Sequence, residues 1–404
     1  MHPAEHAKTN PDRAAYVMSG SGETVTYRQL DERSNQGAHL FRSLGLKAGD
    51  VIAILMDNHP RFFEIAWAAQ RAGLYYACIS SKLSVGEVEY ILGDCEAKAL
   101  IVSPGVGPVI DEIPAIAPGV KLFMVGNARA PYESYETARD KMPTTPIADE
   151  TAGSDMLYSS GTTGRPKGIK PPLTGAPIDA PNPLAMMAQG LFGFRNDSVY
   201  ISPAPLYHAA PLRWCMSVHR LGGTVIAMEK FDPEDALRLI EKYKVDVGQF
   251  VPTHFVRMLK LPPETRARYD VSSLRSAVHA AAPCPIPVKE QMLEWWGPVI
   301  HEYYAGSEGN GFCYIGPQDW LTHKGSVGKA VIGELHIVGE DGEEVPPRTE
   351  GTVYFGGSAP LTYHNAPDKI AENTDKHGWT TLGDVGWADE EGFLYLTDRK
   401  SFMI

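Results

Sequence analysis

The chain has 404 residues, 43% of them apolar and 21% charged, a globular balance that supports a large core and two or three lobes. Its 37 basic and 49 acidic residues leave a formal charge of −12, which argues against a nucleic-acid partner and against a basic patch for anionic lipid, while leaving room for one locally positive site that takes an anionic nucleotide. Five cysteines stand singly with no CxxC, no apolar run approaches the roughly 18 residues of a membrane span, and MHPAEHAKTNPDR has no apolar signal core; a reduced, cytoplasmic protein without a zinc site is expected.

In chain order, Thr26 is placed to cap a helix running to Gly45, with Leu30, Ala38, Leu40, Phe41 and Leu44 on its apolar side. VIAILM (51–56) reads as a strand buried on both faces, residues 60–73 as a helix, and YYACI (75–79) as a strand. SVGEVEYILGDC (84–95) opens with the capping box Ser84 and Glu87, and two more strands follow at 99–102 and 121–125. The Pro-rich run 171–187 is expected to be irregular, either a flap or a connection. Strands are predicted at 199–202, 224–228, 245–250, 274–278 and 299–304, with helices at 232–243, 253–261 and 288–296 between them. From about residue 325 short β runs at 333, 351 and 392 replace the long helical patterns. The predicted fold is α/β: two stacked lobes with mostly parallel sheets (1–170 and 171–325) plus a small β-barrel subdomain (326–398).

The densest chemistry is YSSGTTGRPKG at 158–168, three glycines, four Ser or Thr hydroxyls and two cations behind the apolar segment DML. Small residues let the backbone approach an anion, N–H and hydroxyl groups donate to its oxygens, and Lys167 adds charge. A surface linker would need neither the strand in front nor Arg165, Pro166 and Lys167 in series, so a phosphate loop is predicted from Ser159, Ser160, Gly161, Thr162, Thr163, Gly164 and Lys167. It lacks the spacing of the common P-loop and of the dinucleotide fingerprint. The absence of any G-x-S-x-G elbow sets an α/β hydrolase aside.

This loop resembles the signature of the adenylate-forming superfamily, which includes acyl-CoA synthetases, amino-acid adenylation domains and beetle luciferases. HEYYAGSEGNG (301–311), WTTLGDVGWADEEGFLYLTDRK (379–400), PAPLYHAAP (203–211) and HAAAPCP (279–285) resemble further superfamily elements in the same order, so the resemblance covers nearly the whole chain. It implies that Tyr304 stacks on adenine, that Ser307 bonds the α-phosphate, and that Glu308, with Thr163, helps hold Mg²⁺ on the ATP phosphates. Asp384 would accept from the ribose hydroxyls and Arg399 would contact ribose or phosphate. Ala281, Ala282 and Pro283, alanines where the superfamily has glycines, would line the adenine, with Glu302, Tyr303, Ala305 and Gly306 completing the nucleotide set. His208 would lie at the carboxylate end of an acid pocket walled by Ala209, Trp214, Ala305, Gly306 and Gly311. Alone, Glu308 reads as an exposed turn residue, Asp384 as a turn former between glycines, and His208 as a structural or exposed histidine.

The resemblance implies an acid:CoA ligase of fatty-acid or lipid metabolism, using ATP, Mg²⁺ and coenzyme A on a hydrophobic carboxylic acid, with Lys167, Glu308 and His208 in the reaction; a homodimer is allowed. Two rivals stay open. One is a non-catalytic AMP- or acyl-adenylate-binding protein; the other is an amino-acid adenylation domain, disfavoured because LYHAAPLRW (206–214) has no acid for an α-amine. Residues 399–404 correspond to the start of a hinge, with Ser401 where the superfamily has Asp or Lys. A small C-terminal domain bearing an adenylation lysine would follow there, and without it turnover is expected to fall.

Overall fold

The computed structural model describes residues 1–159, 166–357 and 361–399, with Ser159 and Arg399 described by backbone alone. The chain divides into two compact units, Met1–Phe231 and Asp232–Ile404. In the first, the predicted apolar runs pair into a seven-stranded sheet. Its order is Glu133–Ser134, Lys121–Met124, Ala99–Val102, Val51–Leu55, Tyr75–Ile79, Ser154–Ser159 and Lys167–Ile169. Neighbours run parallel except the last pair, an antiparallel return. Val51–Leu55 and Tyr75–Ile79 are buried at every residue, as strands covered on both faces must be.

The caps follow the sequence. Thr26 and Gln29 close a reciprocal capping box on the helix Tyr27–Ser43, and Gly45 takes the left-handed conformation just past its end, φ +84°. Ser84 and Glu87 cap Val85–Asp94, the Ser84 N–H and hydroxyl both donating to Glu87 Oε2. The helix Arg61–Arg71 is buried along its whole length. Its Glu64 meets Arg33 at 2.7 Å, Arg61 at 2.9 Å and Arg139 at 2.6 Å. Four further strands of this unit are ordered Val199–Ser202, Thr224–Ala227, Ala14–Met18, Thr24–Thr26; only the last pair is antiparallel.

The second unit holds Val247–Phe250, Ser276–His279 and Ile300–Ala305 in parallel, extended antiparallel by Phe312–Ile315 and Lys329–Ile332. The β-rich end forms a four-stranded antiparallel sheet, Glu334–Val338, Gly351–Gly356, Thr380–Ala388 and Leu394–Arg399. The mixed α/β class with mostly parallel sheets is thus the expected one. Among the described residues no helix is long and apolar enough to cross a membrane.

Three elements correct the sequence reading. The irregular run 171–187 contains the start of a helix, Pro183–Phe192. The Asn182 side chain accepts from Ala185 N–H, and Pro183 sits at the first helical position, where no N–H is needed. The residues after His208, where no element is predicted, form the helix Ala209–Leu221. The segment carrying Asp384 is no turn between glycines but part of the nine-residue strand Thr380–Ala388.

Candidate active site

The predicted site residues fall in both units, and each set has its own geometry. In the first unit, Ser154–Ser159 runs parallel to Tyr75–Ile79 and leads into the predicted phosphate loop at its carboxyl end, where open α/β sheets bind ligands. Ser160, Gly161, Thr162, Thr163 and Gly164 lie outside the described residues. Lys167 pairs with Ser159 across the antiparallel return, so the loop's two ends are held side by side by backbone hydrogen bonds.

Two side-chain clamps that the sequence reading missed hold this strand. The Tyr158 hydroxyl donates to Asp94 Oδ2 at 2.6 Å. Burial, with Cys95 and Asp94 nearby, raises the phenol's pKa, so it remains a donor. Arg213 reaches Asp155 Oδ2 through Nε and Nη2, both at 2.9 Å. Arg213 lies on the helix that begins at Ala209, so the strand entering the phosphate loop is tied to the element carrying the predicted acid-site residues. His208 is the residue before that helix and is exposed, with the Tyr207 ring 4.6 Å away. Neighbouring protein displaces enough water to lower its pKa, although part of its surface stays open. Ala209 is half-buried. Trp214 is buried against Phe192 at 5.2 Å and Phe194 at 5.5 Å, so its ring is also part of a packed aromatic cluster.

In the second unit the strand Ile300–Ala305 carries the nucleotide motif. Successive side chains alternate faces, so Glu302 and Tyr304 share one and Tyr303 takes the other. Tyr303 is buried and stacks on Phe312 at 4.9 Å. Tyr304 lies parallel to Phe355 at 6.3 Å, and its hydroxyl donates to Asp384 Oδ2 at 2.6 Å, joining two motifs 80 residues apart. Asp384 follows Gly383, whose φ of +82° a β-carbon would oppose. In backbone register Asp384 stands opposite Arg399.

Ala305 ends the strand, and Gly306, Ser307 and Glu308 enter the turn that follows. A β-carbon on Gly306 would come within 2.3 Å of Leu382 Cδ1. One on Gly311 would meet the Phe355 ring at the same distance, so that glycine is required by packing. Glu308 is half-buried and accepts from the Tyr363 hydroxyl at 3.2 Å, more than an exposed turn residue would do. Ala281, Ala282 and Pro283 are exposed after the strand Ser276–His279. Ala281 has φ +75°, the left-handed conformation that glycine takes freely, so the alanine keeps a glycine-like backbone there.

Glu302 is 4% exposed, and its Oε2 lies 2.6 Å from the Nζ of Lys289, which is wholly buried. His279 is Glu302's cross-strand neighbour, with Nε2 3.4 Å from the same oxygen. Burial pushes Glu302 up and Lys289 down, each partly offset by the other, and holds His279 well below the ordinary histidine value. Lys289 escaped the sequence reading, although its position carries a signal. With Met292 and Trp296 it forms the buried stripe of the helix Ile286–Trp296, spaced by three and four residues.

A divalent cation is implied by the resemblance. Among the described residues no group of three His, Cys, Asp or Glu could cage one. A single half-buried carboxylate, Glu308, suits a magnesium ion that keeps several waters and takes its remaining ligands from phosphate.

A model of the family described as AMP-binding enzyme matches residues 3–362. The chain belongs to that family. Among curated relatives, the long-chain-fatty-acid–CoA ligase FadD13 of Mycobacterium tuberculosis (strain ATCC 25618 / H37Rv) is 29% identical, covering 99% of this chain and 78% of the relative. Feruloyl-CoA synthase of a Streptomyces species is 29% identical over 100% of this chain and 78% of the relative. The crystal structure of the N-terminal domain of FACL13 from Mycobacterium tuberculosis superposes with a TM-score of 0.82 at 26% identity, covering 98% of each chain. The relatives are acid ligases, and this AMP-binding chain has the fold of the N-terminal domain of such an adenylate-forming enzyme.

Proposed function

We propose that this AMP-binding family member activates a hydrophobic carboxylic acid. The acid's carboxylate oxygen attacks the α-phosphorus of ATP, giving acyl-adenylate and pyrophosphate. The thiolate of coenzyme A then attacks the acyl carbon, giving the thioester and AMP. The observation that carries this reading is the Tyr304–Asp384 hydrogen bond. It joins the residue proposed to stack on adenine to the carboxylate proposed to accept from ribose, in a chain whose relatives are acid:CoA ligases.

The chemistry needs no protein nucleophile; it needs positioning and stabilisation of charge. In this reading residues 159–164 and Lys167 cradle the phosphates and Ser307 donates to the α-phosphate. Asp384 and Arg399 hold the ribose side, and Ala281, Ala282 and Pro283 flank the base. Glu308 and Thr163 would hold Mg²⁺, which supplies a positive centre for the phosphate oxygens. His208, at the head of the helix Ala209–Leu221, would orient the acid's carboxylate, with Ala209 and Trp214 toward its apolar body. Substitution of His208 by Ala should raise the KM for acid more than that for ATP.

Acid-dependent pyrophosphate–ATP exchange, screened over carboxylic acids of increasing length and ring content, tests the proposal. Exchange with apolar acids supports it. AMP binding without exchange for any acid would replace it with a non-catalytic nucleotide-binding role.

A further inference from the structure

We infer that Lys289 is a positioning residue of the nucleotide site: through Glu302 it sets the strand on which Tyr304 meets Asp384. The inference rests on the reading of Tyr304 and Asp384 as nucleotide-binding residues.

A wholly buried lysine is expensive. Its ammonium loses its hydration, and the loss is offset only by a close, well-aligned counter-charge. Lys289 has that in Glu302 Oε2 at 2.6 Å, with the Trp320 ring 4.8 Å from its Nζ. Among the described residues it is the one lysine or arginine within ion-pair distance of Glu302. His279, the other group at that oxygen, is buried and stays neutral. The carboxylate's place is therefore set by one contact from a neighbouring helix.

That contact acts on a strand with little freedom to absorb a change. Ile300–Ala305 is paired on both edges, parallel to Ser276–His279 and antiparallel to Phe312–Ile315. Glu302 and Tyr304 lie on the same face, two residues apart. With the pair gone nothing ties position 302 to that helix, and any shift there carries Tyr304 with it, at the expense of the 2.6 Å bond to Asp384. Fold maintenance alone would be served as well by an apolar pair, because exchanging a buried ion pair for hydrophobic residues of similar volume is often neutral or stabilising.

That exchange supplies the test. The full chain and the double variant Lys289→Met/Glu302→Leu are compared by thermal melting and by calorimetric titration with AMP. The variant should melt near the parent temperature yet bind AMP about tenfold more weakly. Adding Tyr304→Phe should weaken AMP binding several-fold in the parent and hardly at all in the double variant, because the hydroxyl is no longer set against Asp384; a residue that only holds the fold would leave that difference unchanged. If the double variant does not fold, Glu302→Gln, which keeps the shape and one acceptor oxygen, is titrated instead, with an expected loss of about threefold. A well-folded variant that binds AMP like the parent overturns the inference and leaves the proposed function standing. A parent chain that binds no AMP overturns both.

Discussion

Glu64 and Glu302 are both buried carboxylates, and they are held in opposite ways. Glu64, in the first unit, has three arginines from three helices around its two oxygens, and Arg61 and Arg139 each reach a second acid, Glu23 and Asp140. Glu302, in the second unit, has one lysine. The first network is redundant and ties together the helices Tyr27–Ser43, Arg61–Arg71 and Tyr135–Arg139. The second has, among the described residues, one lysine and a neutral histidine, and sits two residues from a proposed ligand-binding side chain. Redundancy suits a scaffold that must survive the loss of any one contact. A single contact makes local geometry depend on one residue.

The sharpest way to break this comparison is to remove one cation from each cluster. Lys289→Met should lower unfolding stability by about 3–5 kcal/mol, the range for leaving a buried charge unpaired. Arg33→Met leaves Glu64 with Arg61 and Arg139, and should cost about 1 kcal/mol. Chemical denaturation measures both, and equal losses would show that the arginine cluster is not redundant.

Next in size is an effect of pH. His219 in the first unit is fully buried and accepts from Trp67 Nε1 at Nδ1 (3.2 Å); burial lowers its pKa to about 3. Because the folded value lies below the unfolded value of about 6.5, the neutral ring's contribution is fully present above pH 6.5 and is lost as pH falls from there toward 3. Acidification to pH 4 should therefore cost about 3 kcal/mol through this residue. His219→Gln should flatten that part of the stability profile, and an unchanged acid limb would refute it.

Asp384→Ala should weaken AMP binding by about 1.5–3 kcal/mol, and Tyr304→Phe by about 0.5–1.5 kcal/mol, because the first removes a charged acceptor and the second only the hydrogen bond that aims it. Equal dissociation constants for parent and Asp384→Ala would leave that residue a purely structural role. The smallest expected effect is a gain. Ala281 holds a left-handed backbone that penalises a β-carbon, so Ala281→Gly should raise stability by about 1 kcal/mol and leave the Lys289–Glu302 pair untouched. A lower melting temperature would mean that the alanine methyl contributes packing that outweighs the strain.

What the sequence by itself determined was the set of local rules. The capping boxes at Thr26 and Ser84, the all-apolar strands Val51–Leu55 and Tyr75–Ile79, and the change to short β runs near residue 325 are properties of a few consecutive residues, and each formed as expected. The motifs were legible for the same reason, because a glycine- and hydroxyl-rich loop behind a strand is written in adjacent positions. Where a local pattern was weak, the reading failed. A proline run hid the cap at Asn182, and the flanking Gly383 and Gly386 suggest, for Asp384 taken alone, a turn where a strand forms. Tertiary structure alone decided the pairings between distant residues: Tyr304 with Asp384, Tyr158 with Asp94, Arg213 with Asp155 and Lys289 with Glu302. A charge at a core position of a helix announces that it needs a partner, but which carboxylate supplies it depends on sheet order and register, and those are settled by how the chain packs.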